Sequence, residues 1–370
     1  MTDALSVTGR VIRIKALLLF EFVRFQSKHD VGFGKPVTNV GTVLSVVRRR
    51  AVLAMTQSGL DVDPDKAYRE LEQVVSEFSS NYGHHFDKLV LRLSDHMRPG
   101  VHPAIVVASG LWVVTSIYSI GYMRGHNEQN QTRFFAAFAV SISATMGIAF
   151  SANLFTLFLF YELLTLATYP LVTHAGTDEA KQDGRRYLGL LLGTSIGLQL
   201  LAILITYSFT GTLDFREGGI LDGKLDPAWA GMLLALFVFG VGKAAVMPFH
   251  RWLPAAMVAP TPVSALLHAV AVVKAGVFTI LKVTIYIFGT DFILQNSASD
   301  WLVWFAGATI LLASLVAMTK DNLKARLAYS TISQLSYIVL GALLATQASI
   351  IGSMMHIAMH AFAKITLFFA

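Results

Sequence analysis

The sequence predicts an all-α integral membrane protein with about nine transmembrane helices, one of them broken by prolines, and a polar N-terminal arm. The 370 residues are 54% apolar and only 14% charged, whereas soluble chains carry about 25% charged residues. Apolar runs of about 20 residues, the length that a spanning helix needs, recur along the chain. A large soluble all-α protein is the structural alternative, and uncharged runs such as residues 101–123 argue against it.

Nine stretches are long and apolar enough to cross a bilayer. They are residues 101–123, 134–151, 152–175, 187–210, 228–258, 263–288, 301–319, 327–346 and 348–370. The fifth is interrupted, because proline lacks the amide donor that a helix interior needs. Pro248 and Pro254 lie within this stretch and Pro260 and Pro262 directly follow it, so that four prolines fall within fifteen residues, shortly after Lys243. Secondary transporters place such broken helices at their ion sites, where a cavity satisfies the freed backbone groups.

Charge divides the chain into a polar, partly helical arm, residues 1–100, and a membrane domain, residues 101–370. The arm holds 14 of the 29 Lys and Arg residues and 11 of the 23 Asp and Glu residues. Charges within residues 11–25 exclude a spanning helix but permit an amphipathic one. Asp63 followed by Pro64 predicts the start of a second helix that ends near residue 78. The arm lacks the uncharged core and cleavage site of a signal peptide.

Loop charges predict the orientation in the membrane. If each stretch crosses once, nine Lys and Arg residues collect on one side and two on the other. The nine are Arg124, Arg133, Lys181, Arg185, Arg186, Arg251, Lys320, Lys324 and Arg326, and the two are Arg216 and Lys224. The positive-inside rule places the nine in the cytoplasm and therefore the arm on the outer side.

Ionisable side chains inside the apolar body are the candidate functional residues, because a charged group at mid-membrane is costly and usually functional. Glu162 and Lys243 both lie near the middle of their stretches. Lys274 lies about eleven residues into its stretch, and His268 precedes it by roughly two turns. The proline-rich break directly follows Lys243, which makes this the most informative local pattern in the chain.

A second group of basic residues recurs every four positions and therefore shares one helical face: His356, His360 and Lys364. The spacing of the two histidines also fits metal ligands, but without carboxylates or cysteines nearby this is a weak metal signal. For His268, a hydrogen-bonded packing role is the structural alternative. Lys282 lies near a helix end, where we expect it to snorkel to the membrane interface.

For Glu162 and Lys243, the structural alternative is an ion pair that only locks the bundle, although desolvation can cancel the stabilisation that such a pair provides. The whole set indicates proton transfer across the bilayer. A desolvated lysine beside a glutamate can alternate between holding and releasing a proton, and imidazole passes protons between its two nitrogens. Water would bridge the gaps, ordered by hydroxyls such as those of Thr165, Thr194 and Ser264.

The chain contains no cysteine. This excludes disulfides, thiolate-bound iron–sulfur clusters, cysteine-bound zinc and thiol nucleophiles on this chain. We therefore expect no cofactor and no metal here, and no redox centre, although haem held by histidine remains formally open. The chain is expected to act as a transporter subunit with no catalytic redox centre of its own, and whether it belongs to an enzyme complex stays open.

Residues 240–276 read GVGKAAVMPFHRWLPAAMVAPTPVSALLHAVAVVKAG, with four prolines and two lysines in fixed places. This stretch resembles the signature of the proton-conducting antiporter-like membrane subunits. That family includes subunits of Mrp-type multisubunit cation/proton antiporters, of respiratory complex I and of membrane-bound hydrogenases. Residues 118–123, 160–162, 328–334 and 356–369 are similar to the family as well. Within it, the chain looks most like the D branch of the Mrp-type antiporters.

The resemblance implies a fold of about fourteen helices with two inverted five-helix repeats, each containing a broken helix. It implies that Glu162 and Lys243 match the glutamate and lysine of a first half-channel. Lys274 matches the group that connects to a second half-channel, and His356 and His360 match the histidines that feed it.

Two departures from the family pattern shape the expectations. A polar arm stands where family members begin with two hydrophobic helices. The chain also ends at Ala370, within what would be the eleventh helix, so the second broken helix and its ionisable residue do not occur in this sequence. We expect a fragment, a split gene or a partner chain that supplies the remainder.

The prediction is a proton-translocating subunit of a multisubunit monovalent cation/proton antiporter, multi-pass in the inner (plasma) membrane. Its partners would be other membrane subunits, protons, sodium or another cation, and lipid, but no nucleic acid. The first alternative is a proton-pumping subunit of an NADH:quinone oxidoreductase or a membrane hydrogenase. The second is a non-conducting scaffold fragment.

Overall fold

The computed structural model describes residue 111 and residues 115–295 and 300–369. The regular secondary structure within this part is helical, apart from an isolated β-bridge between Asn153 and Asp214. Seven of its helices are long and apolar enough to cross a membrane, which confirms the predicted all-α membrane fold. The arm with its two predicted helices, and most of the first predicted span, lie outside the described residues.

Eight helices of 14 or more residues follow one another along the described chain. They are α1 (Gln131–Phe150), α2 (Leu154–Val172), α3 (Asp178–Thr210), α4 (Pro227–Gly240), α5 (Thr261–Phe288), α6 (Asp300–Met318), α7 (Leu323–Leu344) and α8 (Gln347–Phe369). Residues 115–125 are helical and precede α1. Between α4 and α5 lie three short helical pieces, Gly242–Ala244, Trp252–Ala255 and Ala256–Val258, and Thr290–Leu294 follows α5.

Helix α3 begins nine residues before the apolar stretch that was predicted to start at residue 187. Thr177 caps this start, since its hydroxyl accepts a hydrogen bond of 3.2 Å from the amide of Ala180. Asp178 and Glu179 in the first turn carry the negative charge that a helix N-terminus favours. The first turns of α3 are therefore polar, and only the later turns carry the membrane-spanning pattern.

Helix α5 is the central element of the bundle. Of its most apolar window 94% is buried, against 33% to 56% for the other six candidate spans. It packs against α1, α2, α4, α7 and α8. The outer helices instead expose large apolar side chains, such as Trp304 and Met318, which is the pattern of a lipid-facing surface.

The connections lie alternately at the two ends of the bundle. At one end, the connection 211–226 contacts the α1–α2 turn through a hydrogen bond of 2.9 Å from Leu154 N to Leu213 O. It also joins the end of α5, where Ile220 N donates to Ile287 O at 2.8 Å. This end contains Arg216 and Lys224, the two basic residues that the loop count placed apart from the other nine.

Candidate functional site

The helix break begins earlier than the prolines alone predict, at the end of α4. Gly240 and Gly242 let α3 approach this end closely. A Cβ atom at Gly240 would lie 2.4 Å from the backbone nitrogen of Gln199, and one at Gly242 would lie 2.3 Å from Thr194 Oγ1. Ala245 then takes a left-handed conformation (φ +55°), which turns the chain out of the helical path.

The prolines extend this break rather than start it. Pro248 lies in the turn after it, Pro254 lies in the short helix Trp252–Ala255, and Pro260 and Pro262 flank the start of α5. The indole of Trp252 holds the break in place, since its Nε1–H donates to Gly242 O at 2.8 Å. The backbone before Lys243 is thereby fixed by a fully buried side chain.

Lys243 is fully buried on the short helix Gly242–Ala244, and α2 provides its hydrogen-bond acceptors. Its Nζ donates to Tyr161 O at 2.9 Å and to Thr165 Oγ1 at 2.5 Å. The amine lies 3.2 Å from the centroid of the Tyr161 ring, a cation–π geometry. The backbone N–H of Lys243 donates to Tyr161 Oη at 3.0 Å. The acceptors are neutral oxygens.

Glu162 lies beside this lysine on α2, but the two side chains form no direct ion pair. The Lys243 Nζ atom does not lie within 4.0 Å of either carboxylate oxygen of Glu162, although the two charges interact. Both carboxylate oxygens of Glu162 are buried, and no hydrogen bond of standard geometry reaches them, although the Ser195 hydroxyl lies close enough to interact with the carboxylate. An unpaired buried carboxylate costs several kcal/mol, roughly, unless water or a proton satisfies it. The structural alternative required a direct ion pair between Glu162 and Lys243. The structure does not show this pair.

The second cluster joins α5 to α8. Lys274 Nζ lies 2.5 Å from His360 Nδ1, within hydrogen-bonding distance. The ring of His360 stacks on that of His356 at a centroid distance of 6.1 Å. Lys364, one turn further along α8, donates to Leu327 O at 3.1 Å. The face predicted from the four-residue spacing on α8 thus points to α5 and α7.

His268 belongs to the same cluster. It lies in a π-helical turn of α5, Leu266–Val270, and both ring nitrogens are buried without a partner. The charges of Lys364 and Lys274 act on it. Among the described residues, no group of three or more His, Cys, Asp or Glu side chains could hold a metal ion.

The six predicted residues thus form two groups: Glu162 with Lys243, and Lys274 with the three histidines. No hydrogen bond joins Lys274 to Lys243 in the described part of the chain. The backbone connects the groups instead, because a Cβ atom at Gly276 would lie 2.4 Å from Ala244 N. The segment that carries Lys274 is therefore packed directly against the break.

The prediction that Lys282 snorkels to the interface was wrong. Its side chain is buried, and Nζ donates to Ser151 O at 2.6 Å and to Ala149 O at 3.4 Å. These carbonyls end α1, where the helix dipole favours a cation. The Phe215 ring centroid lies 4.3 Å away. Proximity to a helix end suggested solvent access, but the 211–226 connection covers this position.

Sequence reasoning missed Tyr161, which contacts Lys243, and Gln199, which packs against the end of α4 at Gly240. Tyr161 provides three of the contacts of Lys243, and its position directly before Glu162 was the available signal. Gln199 lies in a π-helical turn of α3, Ser195–Gln199, with both amide atoms buried and unpartnered. Nothing in the local sequence predicts this turn, because its surrounding residues read as ordinary apolar helix.

His174 lies outside the spanning helices, in the connection between α2 and α3. Its Nε2 lies 3.5 Å from the Glu128 carboxylate. Burial lowers the pKa of His174, and the charge of Glu128 opposes this shift only in part. This histidine is therefore predominantly neutral near pH 7 in the folded protein.

Residues 151–370 match the profile of a protein family described as NADH:quinone oxidoreductase/Mrp antiporter, TM. The chain belongs to this family. The match contains Glu162, Lys243 and Lys274 together with the whole helix break, and it agrees with the resemblance that the 37-residue stretch suggested. The multi-pass membrane character follows from the family and from the seven helices.

Two of the curated relatives illustrate the breadth of the family. A probable K(+)/H(+) antiporter chain of the A/B type from Rhizobium meliloti (strain 1021) is 32% identical over 271 residues, 72% of this chain and 26% of the relative. NAD(P)H-quinone oxidoreductase subunit 5 from the chloroplast of Adiantum capillus-veneris is 32% identical over 325 residues, 85% of this chain and 41% of the relative. The chain thus spans between a quarter and less than half of the length of these relatives.

Solved structures show the same fold. A chain of the Mrp complex from Dietzia sp. DQ12-45-1b has a TM-score of 0.62 at 29% identity, covering 72% of this chain and 29% of that chain. A chain of the membrane-bound sulfane sulfur reductase, an archaeal respiratory membrane complex, has a TM-score of 0.63 at 21% identity, covering 98% and 70%. The latter likeness concerns the fold alone. These relatives are subunits of multisubunit membrane complexes.

Proposed function

We propose that this chain is a proton-translocating subunit of a multisubunit monovalent cation/proton antiporter in the inner (plasma) membrane. The observation that carries the proposal is the environment of Lys243. Its amine is fully buried and hydrogen-bonded to neutral oxygens, and the buried carboxylate of Glu162 interacts with its charge without a direct ion pair. A purely structural lysine would be expected to have a direct ionic partner.

The geometry supports proton transfer in two stages. At the first, a change in the charge of Glu162 alters how strongly Lys243 holds its proton, because the two charges interact through apolar surroundings. At the second, Lys274 and His360 are within one hydrogen bond, so a proton can pass between amine and imidazole. His356 and His268 extend this group. Water would carry the proton between the stages.

The antiporter proposal draws on the relative from Rhizobium meliloti, whose name describes a K(+)/H(+) antiporter. The first alternative is a proton-pumping subunit of a quinone oxidoreductase complex, since chloroplast and cyanobacterial oxidoreductase chains are matched at similar identity. In both versions the chain acts beside other membrane subunits. Membership of the D branch, and the division into an arm of residues 1–100 and a membrane domain of residues 101–370, remain parts of the proposal.

The test is proton flux in membrane vesicles that contain the complete complex, measured with a pH-sensitive dye after a cation pulse or after addition of the electron donor. We expect Lys243→Ala to reduce flux to the background of vesicles without the complex while assembly stays normal. Lys181→Ala is the matched control, because that lysine is exposed on the first turn of α3. Flux that starts with the cation pulse indicates the antiporter, whereas flux that starts with the electron donor indicates the oxidoreductase.

Assembly is measured in parallel by native gel electrophoresis. Normal flux in Lys243→Ala would overturn the proposal. The scaffold alternative predicts a different pattern, in which the wild-type complex conducts no protons through this chain and the variant fails to assemble.

A further inference from the structure

Lys282 is a buried lysine outside both clusters, and it lies where three parts of the bundle meet. It is carried by α5, and its Nζ donates to Ser151 O at 2.6 Å and to Ala149 O at 3.4 Å, the carbonyls at the end of α1. The Phe215 ring of the 211–226 connection lies 4.3 Å from the same amine. Backbone carbonyls accept hydrogen bonds but do not take up protons. These contacts therefore hold the amine in place rather than pass a proton on.

The contact between Lys282 and α1 satisfies two needs at once. Burial of a charged amine is unfavourable unless the amine gains strong partners. The last carbonyls of a helix have no hydrogen-bond partner within that helix, and they form the negative end of its dipole. A cation that donates hydrogen bonds to them is stabilised by both effects. The lysine is therefore suited to fasten the end of α1 to α5.

The end of α1 in turn determines where α2 begins. Only three residues, 151–153, separate the two helices, and Asn153 caps α2 by accepting a hydrogen bond of 2.8 Å from Thr156 N. The two helices are also in close contact, because a Cβ atom at Gly147 would lie 2.3 Å from the Phe160 ring. Helices α1 and α2 thus form a tight hairpin that Lys282 attaches to α5.

Helix α5 carries a second attachment point, for the segment that contains Lys243. A Cβ atom at Gly276 would lie 2.4 Å from Ala244 N, directly after that lysine. Gly276 and Lys282 lie six residues apart in one α-helical segment, Val272–Val283, which is about 9 Å at 1.5 Å per residue. One helix therefore positions both the segment with Lys243 and the hairpin with Glu162.

We propose that Lys282 is a positioning residue for the first cluster: by fastening the α1–α2 hairpin to α5, it sets the distance between Glu162 and Lys243. The inference rests on the proposed function, because this distance affects proton transfer only if the two charges act on each other. The 211–226 connection supports the same arrangement, since Phe215 N donates to Ala152 O at 3.2 Å.

Paired spin labels test the position of the hairpin without any measurement of flux, because the chain has no cysteine of its own. Leu159→Cys on α2 and Met232→Cys on α4 place labels at exposed positions. Pulsed electron paramagnetic resonance then gives the distance between the labels in the complete complex, with the accessible cysteines of the other subunits replaced. In Lys282→Met, which removes the charge and the donors, we expect this distance to change by about 1–2 Å, the size of ordinary helix shifts.

Lys224→Met is the matched control for this measurement. Lys224 lies in the 211–226 connection and also donates to a carbonyl at a helix end, Thr210 O at 3.2 Å, but it is exposed. We expect its loss to leave the distance unchanged. Lys282→Arg keeps the charge and the donors, and it should preserve the distance as well.

Proton flux in vesicles of the complete complex is the second measurement. We expect Lys282→Met to reduce flux about tenfold or more, because a displacement of about 1 Å disturbs a proton-transfer site strongly. The pH of half-maximal flux should shift by about half a unit or more, since the distance determines how strongly Glu162 acts on Lys243. A mere loss of assembled complex would lower flux without moving this midpoint. Lys282→Arg should stay within about twofold of wild type.

An unchanged distance in Lys282→Met would overturn the proposal, as would an unchanged midpoint or an equal loss of flux in Lys282→Arg. If Lys282→Met does not assemble, Lys282→Gln replaces it, because its amide still donates a hydrogen bond without charge. Failure of both variants to assemble would mean that the lysine serves folding alone, and this would overturn the proposal too.

The two measurements separate this inference from the proposed function. An unchanged distance in Lys282→Met together with loss of flux in Lys243→Ala would reject the positioning role alone. A changed distance together with normal flux in Lys243→Ala would reject the proposed function.

Discussion

The lysines of the two clusters in the membrane domain lie in different surroundings. Lys243 lies on an interrupted helix, touches neutral oxygens and an aromatic ring, and has a carboxylate nearby. Lys274 lies on the continuous, most deeply buried helix and touches an imidazole. The charged neighbours that act on Lys274 and on His268 in the described residues are basic.

Under the proposed function, this difference gives the two lysines different tasks. The charge of a nearby carboxylate can switch Lys243 between two protonation states, whereas Lys274 can only share its proton with bases. The first cluster is therefore suited to control proton transfer and the second to relay it. Close backbone packing at Gly276 joins the segments that carry the two lysines, so the two clusters are structurally in contact.

Among the variants that test this comparison, the largest effect is expected from removing the acid of the first cluster, which makes it resemble the second. Glu162→Gln removes the acid but keeps the size of the side chain, and we expect proton flux to fall by about 10²-fold or more, as when a positioned proton-transfer group is lost. Flux in vesicles of the assembled complex measures this. Glu179→Gln, an exposed acid on α3, is the control and should conduct normally. Wild-type flux in Glu162→Gln would show that the clusters do not differ in this way.

A methyl group at Gly276 tests the contact between the clusters. Its Cβ would lie 2.4 Å from Ala244 N, so we expect Gly276→Ala to destabilise the complex by about 1–3 kcal/mol, the usual cost of overpacking. The melting temperature and the amount of assembled complex report this. Gly307→Ala, where a Cβ meets nothing within 4 Å, should be neutral or slightly stabilising. Equal behaviour of the two variants would exclude a tight contact at Gly276.

Thr165→Val tests whether the hydroxyl of Thr165 matters for proton flux as a neutral acceptor of Lys243. Lys243 loses its hydrogen bond of 2.5 Å to the hydroxyl, and a hydrogen bond to a charged group contributes about 1.5–3 kcal/mol. We expect about a tenfold change in the rate of proton flux. Thr206→Val is the matched control, because this buried threonine bonds to Ala202 O in its own helix. Similar effects in both variants would mean that the hydroxyl of Thr165 only serves helix packing.

The smallest expected effect concerns His174, a histidine whose ring lies beside a carboxylate, that of Glu128. Because burial lowers its pKa in the folded state, the unfolded chain binds the proton more readily. Stability should therefore be complete above about pH 6.5, the ordinary value, and decline as the pH falls below it. Melting curves at pH 7.5 and 5.5 should differ less in His174→Gln than in wild type. The exposed His126→Gln is the control, and an unchanged pH dependence in His174→Gln would contradict the assignment.

Much of this architecture could be predicted from the sequence. Hydrophobic length predicts the spans, and the prolines with Lys243 predict the break, because both depend on local chemistry. The four-residue spacing placed His356 and His360 on one face, and that face does meet Lys274. These inferences hold since helix periodicity fixes relative positions along a single element.

The remaining features depend on contacts between elements that are distant in sequence. Lys282 was misjudged because the 211–226 connection, some sixty residues before it, covers that helix end. The break starts at Gly240 because α3 packs closely there, and no local rule contains that contact. The absence of a direct bond between Glu162 and Lys243 likewise follows from the competing oxygens of Tyr161 and Thr165.

The burial of α5 has a consequence for how the protein is made. Its flanks touch earlier helices, α1, α2 and α4, as well as later ones, α7 and α8, so almost none of it faces lipid in the finished bundle. During synthesis α5 emerges before α7 and α8 exist, and Lys274 and His268 then lack their neighbours on α8, His360 and Phe368. These two basic side chains therefore reach their buried environment only after α8 has been made.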